Sequence, residues 1–528
     1  MATPMHWARW GDPAAAQPLP DTARALVEMA FGPVTEHPSA ALDQVRLPEP
    51  ALGAELVRGL IDLVGDEHVR RDHDSRVRHT RGKSTPDLLR MRAGDAGDAP
   101  DAVVRPADHD QVAAVVCWCS DNRVALVPFG GGTSVVGGLV ARREGYAGVV
   151  ALDLARLKRL VSVDRESRTA VLEAGLLGPE AESLLAGHGL TLGHFPQSFE
   201  YATIGGYAAT RSSGQASSGY GRFDSLVVGL RVATPLGELH LGSAPATAAG
   251  PDLRQLVLGS EGAFGVITEV TVRVRPVPPV KVYEGWRLPS FAEGAAALRE
   301  LAQSGAAPTV LRLSDEAETA VNLAAPSEVG LDGAGGCLMV TGYEGEPASV
   351  DAMRAAVTAR LDELGGRSLG EEAGAAWLRG RFHGPYLRDS LLDLGVLVET
   401  VETATFWSGL RGLYDGVRSA LQEALAEQGT PPLVLCHVSH VYETGASLYF
   451  TVAAKELDDP LAQWAKAKAA ASDAMIAAGA TITHHHAVGR DHKPWLAREI
   501  GPVGVEMLRA LKARIDPAGV LNPGVLVP

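Results

Sequence analysis

The sequence predicts an α+β protein of two or three domains, and three observations carry that expectation. Its 528 residues exceed one core of ordinary size, at about 100–200 residues per domain. Short Val-rich runs bounded by Gly or Pro alternate with segments of helical periodicity. Hydrophobic residues make up 46% and charged residues only 21%, so sizeable cores can form and a largely disordered chain is excluded.

The elements follow in order. Residues 1–97 mix Pro-rich loops with helical patterns; Leu52, Leu56, Leu60, Ile61 and Val64 fall near helical spacing, so this region is expected to be mostly helical. A break rich in Gly, Asp and Ala at 94–100 sets a boundary. The second unit, residues 98–278, begins with a short strand at Val103 and Val104. A helix over 110–121 follows, with Val112, Val115, Val116 and Trp118 on its apolar side. Residues 124–129 form a compact apolar strand running into glycines; 149–153, 169–173, 226–234 and 265–274 are further strands. Pro276-Val-Pro-Pro279 reads as a linker. The third unit, 279–480, alternates helices (291–302, 350–364, 460–478) with strands (310–313, 433–441, 447–453) and is a candidate cap or substrate domain. Residues 481–528 hold a histidine run, a helix over 503–515 and a Pro/Gly tail, and no internal repeat is visible.

Charge and cysteine usage exclude some functions. A net charge of −15 argues against a broad nucleic-acid interface, while leaving room for a local basic pocket for one phosphate. Cys117, Cys119, Cys337 and Cys436 lack the spacing of a metal knuckle and read as small buried apolar side chains. Such sparse usage fits a reducing cytosol. Residues 1–20 lack a basic segment followed by an apolar core, no run reaches the ~18 apolar residues of a spanning helix, and the last residues are not a Ser-Lys-Leu address. The expectation is a soluble, cytoplasmic enzyme, with peripheral membrane contact left open.

Three polar glycine segments carry the chemistry. Pro128, Phe129, Gly130, Gly131, Gly132, Thr133 and Ser134 directly follow a strand. Glycines there let consecutive backbone N–H groups approach an anion such as a pyrophosphate, with two hydroxyl donors beside them. The bland alternative is a tight loop. The segment matches neither Gly-x-Gly-x-x-Gly nor the Lys-ended phosphate loop, which disfavours Rossmann and Walker folds. A second segment runs from Gly193 to Gly206 and continues through Thr210, Arg211, Ser212 and Ser213; a third runs from Gly259 to Thr268. Any one could be an ordinary turn, but three beside strands favour an extended ligand held largely by backbone.

The order of these segments resembles the FAD-binding domains of the vanillyl-alcohol-oxidase (PCMH-type) family over residues 98–278. The resemblance implies a PCMH-type FAD-binding domain with an α+β cap and a helical N-terminal region. Pyrophosphate would lie on Gly130 to Ser134. Ring and ribose contacts would come from Gln197, Ser198, Phe199, Glu200, Tyr201, Ala202 and Thr203, from Thr210 to Ser213, and from Glu261, Gly262, Ala263, Phe264, Gly265, Val266 and Ile267. Thr133 stands where a flavin-attaching His would be sought, so FAD is expected to be noncovalent. Trp7-Ala-Arg-Trp-Gly-Asp12, Arg78-His-Thr-Arg-Gly-Lys83, Leu311-Arg-Leu313, Tyr386-Leu-Arg-Asp389, Ser447-Leu-Tyr-Phe450 and His484-His-His486 extend the likeness over nearly the whole chain, to the alkyl-dihydroxyacetone-phosphate synthases.

That closer likeness implies a transferase exchanging the acyl group of acyl-dihydroxyacetone phosphate for a long-chain alcohol in ether-lipid synthesis. It also implies a homodimer. Tyr449 would be the acid–base group; as an ordinary strand Tyr, with a pKa of about 10, it would need a stabilised phenolate or a coupled base. Arg388 would clamp the substrate phosphate, its alternative being a helix-surface Arg paired with Asp389 or Asp393. Arg312 reads as buried beside an anion or the flavin, or in an interior ion pair. His484, His485 and His486 would shuttle protons or bind phosphate. Three adjacent imidazoles point in different directions in regular structure, so no metal is expected on them; a surface cluster is their bland reading, and Thr481-Ile-Thr483 suggests a strand entering a turn. Gln197 stands where the synthases carry an acidic residue, and Phe195 also departs from their pattern, which bears on the substrate. The rival functions are an FAD-dependent oxidase or dehydrogenase of a hydroxy acid or alcohol, and a catalytically silent flavin binder.

Overall fold

The computed structural model describes residues 5–16, 19, 21–305, 307–323 and 335–528. Strands β1 (Val69–Arg70), β2 (Ala102–Val104), β3 (Val124–Phe129) and β4 (Gly148–Asp153) form a sheet of order β1-β2-β4-β3, parallel except for β1. Helix His109–Asp121 crosses over between β2 and β3, as parallel strands require. Val124, Ala125, Leu126, Val150 and Leu152 are fully buried, the continuous apolar signature of strands covered on both faces. The first region thus lends β1 to the second region's sheet.

Strands β5 (Leu160–Asp164) and β6 (Thr169–Glu173) lead to β7 (Leu190–Thr191), β8 (Val227–Thr234), β9 (Gly237–Leu241) and β10 (Val266–Arg273). These make an antiparallel sheet of order β5-β6-β10-β8-β9; β7 pairs instead with β11 (Arg275–Pro276). Leu172, Leu230, Val232, Val270 and Val272 lie in a core shared with the first sheet.

The cap is one antiparallel sheet built from β12 (Val280–Leu288), β13 (Val310–Ser314), β14 (Cys337–Gly345), β15 (Arg367–Leu369), β16 (Val396–Phe406), β17 (Leu433–Val441) and β18 (Gly445–Lys455), in the order β15-β12-β14-β13-β17-β18-β16. Helices Phe291–Gln303, Leu410–Ala426 and Pro460–Ala477 cover one face. Leu413, Val417 and Leu421 recur at four-residue spacing along the second of these, placing one stripe on the sheet. Leu311, Leu313, Val401, Cys436, Val438, Leu448 and Phe450 point into that core. Their alternation sends Arg312, Glu402, His437 and Tyr449 to the opposite face.

The chain ends back in the second region. Leu126 donates its N–H to the Val520 carbonyl and Asn522 donates to that of Leu126, so the tail lies along β3. Two local expectations are corrected. Thr481 makes only an isolated bridge to Ala404, so residues 481–483 are not a strand; the chain is drawn off the sheet by the carboxylate described below. The helix expected at 503 begins earlier, at Lys493, and spans Lys493–Ile515 across a break at Gly501 (φ 70°); Pro502 lacks an N–H, so the Gly-Pro pair hides the turns before it. Among the described residues no helix is long and apolar enough to cross a membrane.

Candidate active site

The first glycine loop packs backbone against backbone. A Cβ on Gly131 would lie 1.7 Å from the Tyr201 carbonyl, and one on Gly130 would lie 2.4 Å from the Thr203 hydroxyl, so the first and second segments touch only because side chains are missing. Among the described residues, the N–H groups of Gly131, Gly132, Thr133 and Ser134 donate to no other part of the chain. A run of free amides at the end of a buried strand is the donor set of an anion nest, and it fits the pyrophosphate of FAD.

The other segments divide between framework and site. Thr203 accepts from Gly206 N and starts helix Ile204–Thr210; the Ser198 carbonyl accepts from Tyr201 and Ala202 N–H. Phe199 stacks on Phe382 of the cap at 5.6 Å, Tyr201 meets Trp10 edge-on at 5.8 Å, and Gln197 lies beside Gly384. Burial raises the Glu200 carboxyl above its usual range, against the pull of His383. Thr210 donates to the Gly206 carbonyl, while Arg211, at φ 52°, braces the Leu258 and Gln255 carbonyls and Asp224. Ser212 bonds His194 at 3.1 Å; the other nitrogen of that buried imidazole has no partner, and Ser213 is buried beside it in sequence.

Glu261 accepts N–H bonds from Val488 (3.2 Å) and Gly489 (2.7 Å), stapling the third segment to the C-terminal region; burial pushes it up to about 7. Gly262 (φ 80°) packs on Pro128, the Ala263 carbonyl accepts from Lys512, Phe264 is buried, and Gly265 delivers Val266 and Ile267 into β10. The side chains of Arg211 and Glu261 are therefore engaged by the fold itself.

On the cap, strand register assembles a polar row. Tyr449 sits opposite Glu402 on β16 and His437 on β17, and Ser314 sits opposite His437, which puts Arg312 on the same face. The Tyr449 and His437 rings stack at 4.9 Å, and His485 and His486 lie 6.0 and 5.6 Å from Tyr449. Arg312 forms an interior ion pair with Glu318, whose second oxygen bonds His437 at 2.9 Å.

The histidine run is a turn wrapped around one buried carboxylate. Glu402 accepts N–H bonds from His484 (2.7 Å), His485 (3.2 Å) and His486 (3.0 Å), and the Thr483 hydroxyl donates to it as well. Burial opposes its charge, but the three imidazoles hold it well below the usual carboxylate range. His484 bonds the Tyr442 hydroxyl through Nε2 and His485 through Nδ1, the latter at 3.0 Å. Ring nitrogens of His440, His484 and His485 come within 4.8 Å of one another, a gathering to which the His484–His485 hydrogen bond already gives a cause; no metal is assigned there.

Arg388, on helix Gly384–Leu392, donates to the Lys83 carbonyl at 2.7 Å and pairs with Asp389 at 3.2 Å; Asp393 pairs with Arg9 and Arg92 instead. Lys83 in turn donates its N–H to the Ser134 carbonyl, so one residue separates Arg388 from the first glycine loop. Tyr449 is pushed up to about 12, chiefly by burial, with Glu399 and Glu402 adding to the rise and Thr400 and Arg388 opposing it. Of the two expected routes, a stabilised phenolate or a coupled base, this burial works against the first.

Glu402, Glu318, His437, His440 and Tyr442 were not singled out in the sequence. The available signal was a charged or aromatic residue alternating with Cys, Val and Leu inside an apolar strand, as in Leu435-Cys-His-Val438.

A glycine-lined cradle with free amides in one domain and a buried polar row on the cap are the parts of an FAD-dependent flavoprotein, and the family models assign the chain to that class. The family model for an FAD binding domain matches residues 100–242, and that for the C-terminal domain of FAD linked oxidases matches residues 277–526. The alkyldihydroxyacetonephosphate synthase of Dictyostelium discoideum is 33% identical over 514 residues, covering 93% of this chain and 84% of that protein. The Trypanosoma brucei brucei protein of the same name is 34% identical over 506 residues, covering 92% and 82%. A solved alkyldihydroxyacetonephosphate synthase superposes with a TM-score of 0.86 at 31% identity, covering 99% of both chains. The chain belongs to the alkyldihydroxyacetonephosphate synthase family. p-Cresol methylhydroxylase, with a TM-score of 0.70 at 18% identity, shares the fold.

Proposed function

We propose that this flavoenzyme replaces the acyl group of acyl-dihydroxyacetone phosphate with a long-chain alcohol. The observation that carries this reading is the convergence of Tyr449, the Glu402-held imidazoles and Arg388 on one face of the cap, in a chain whose named synthase relatives match it along most of its length. Gly131, Gly132, Thr133 and Ser134 would hold the FAD pyrophosphate through their free amides. The bound flavin supplies electrophilic activation of the carbon that carries the acyl oxygen. The Arg388 guanidinium donates to the Lys83 carbonyl and the Asp389 carboxylate, and it would share or exchange those bonds to clamp the substrate phosphate. Tyr449, held protonated by its burial, would take the C–H proton only after passing its own to a neighbouring group, and His485 and His486 lie beside its ring.

The test is a product assay on flavin-loaded protein, mixed without oxygen with acyl-dihydroxyacetone phosphate and hexadecanol. Alkyl product and fatty acid in equal amounts, with the flavin spectrum oxidised at the end, is the expected result. Lasting bleaching of the flavin by a 2-hydroxy acid, with no alkyl product, would overturn it in favour of an oxidoreductase.

A further inference from the structure

We propose that His437, fixed by Glu318, accepts the proton of the incoming alcohol, as a second acid–base group beside Tyr449. The inference rests on the transferase reading, and its geometry stands on strand β17 and helix Glu316–Leu323.

Glu318 is almost wholly enclosed, with one oxygen on Arg312 and the other 2.9 Å from His437 Nδ1. Burial alone would neutralise it, yet His437 and Arg312 hold it down to about 2, so it is a carboxylate at any pH at which the enzyme works. A carboxylate only accepts hydrogen bonds, so the proton of a neutral His437 sits on Nδ1 and the lone pair is left on Nε2. Burial and Arg312 lower the His437 pKa against the pull of Glu318, which favours the neutral ring. A base oriented by a buried acid, with its second nitrogen turned away from that acid, is the arrangement general-base catalysis requires.

The ring is also in the right place. It stacks on Tyr449 with an interplanar angle of 19°, so both side chains rise from the same sheet face in the same direction. The other imidazoles are less suited. His484 is bonded at both nitrogens, His485 shares its Nδ1 with His484, and the nearest nitrogen of His486 lies 3.9 Å from Glu402, too far for a bond that would fix its tautomer. His440, on the same strand, is buried with Nδ1 unpartnered. The charged and titratable groups facing His437 are Arg312 from β13, Glu318 from its helix, Tyr449 from β18, His440 from β17 and His485 from the turn.

The step balances. The alcohol O–H bond breaks as its oxygen bonds to the carbon that has released the acyl carboxylate, and the proton passes to Nε2. The other product leaves as a fatty carboxylate, so one proton per turnover must reach solvent, and His437 is the group that sheds it. Tyr449 first passes its own proton to an imidazole of the neighbouring turn, then takes the C–H proton and returns it to the same carbon, after which the imidazole gives its proton back.

The experiment uses flavin-loaded full-length protein, wild type, His437→Gln and Glu318→Gln. Nitrogen-15 spectra of histidine-labelled protein, with the His437 signals assigned by their loss in His437→Gln, should show Nδ1 protonated and Nε2 bare near neutral pH. Without alcohol, His437→Gln should still release one fatty acid per flavin; with hexadecanol, alkyl product should fall by at least ~100-fold. The fall should remove the acidic limb of the pH profile for alkyl formation. Glu318→Gln, with His437 intact, should shift the tautomer toward Nε2–H and slow alkyl formation while keeping the fatty-acid burst, which covers the case of a His437→Gln chain that does not fold. An Nε2–H or fully protonated ring in the wild type overturns the proposal, as does alkyl formation at the wild-type rate in His437→Gln. A wild-type protein that binds flavin but makes no alkyl product overturns the transferase reading, and the alcohol step with it.

Discussion

At the scale of single residues, the histidine turn is organised by a carboxylate that does not meet solvent. Glu402 gathers three successive backbone N–H groups, and a charged acceptor of that kind is worth roughly 1.5–3 kcal/mol per hydrogen bond when a partner is lost. Glu402→Gln keeps the volume but offers an N–H where donors already point. The variant should lose at least about 2 kcal/mol of stability in denaturant titration, and the imidazoles, deprived of a negative neighbour, should titrate at lower pH still. Unchanged histidine titration curves in that variant would show that the turn is held by something else. Tyr449→Phe is different in kind. It removes a hydroxyl whose proton the site holds tightly, so turnover should fall by about 10²–10⁴-fold while flavin content, read from visible absorbance, stays at the wild-type level.

At the scale of elements, what the sequence disclosed followed the range of the forces involved. The loop after β3 was readable because the need for glycine is local: free amides and missing Cβ atoms leave a mark in consecutive letters. Gly131→Ala should therefore abolish flavin uptake, since its methyl would fall 1.7 Å from the Tyr201 carbonyl, with backbone on both sides and nothing flexible to yield. Normal loading of that variant, measured as the ratio of flavin to protein absorbance, would contradict the packing described here. Strand β16 was not readable. Val398 packs on Val27 and Phe31 on one side and Val401 on the cap core on the other, so burial on both faces erases the alternation that marks a strand. With β16 went Glu402, and with Glu402 went the shape of the histidine turn, whose anchoring bonds span 82 residues or more. His437 was missed for a related reason: its partner Glu318 lies 119 residues away, on a helix that had not been assigned.

At the scale of the whole molecule, the buried imidazoles set how the protein responds to acid. Burial lowers His194 and His486 to about 3 and His492 to about 4, and takes His440 and His484 well below the ordinary value. In the unfolded chain each titrates near its ordinary pKa of about 6.5. Between those values the unfolded state binds protons that the folded state refuses, so stability is full above about pH 6.5 and drains away as pH falls toward the folded values. Glu261 and Asp87 act in the opposite sense: burial raises them to about 7 and about 6, so the folded state binds extra protons as pH falls. The imidazoles start from an unfolded value of about 6.5, inside the range from pH 7.5 to 5, whereas unfolded carboxyls titrate near about 4, below it, and each group counts for about 1.4 kcal/mol per pH unit inside its window. The melting temperature of the flavin-loaded protein should therefore drop by several degrees from pH 7.5 to pH 5 at constant ionic strength, as read by scanning calorimetry or flavin fluorescence. His194→Gln should flatten that slope, because it removes one imidazole that must stay neutral to remain inside. A melting temperature that holds level or rises on acidification would mean that these rings are charged and paired in the folded protein, and the polar face of the cap would then have to be read as a set of ion pairs.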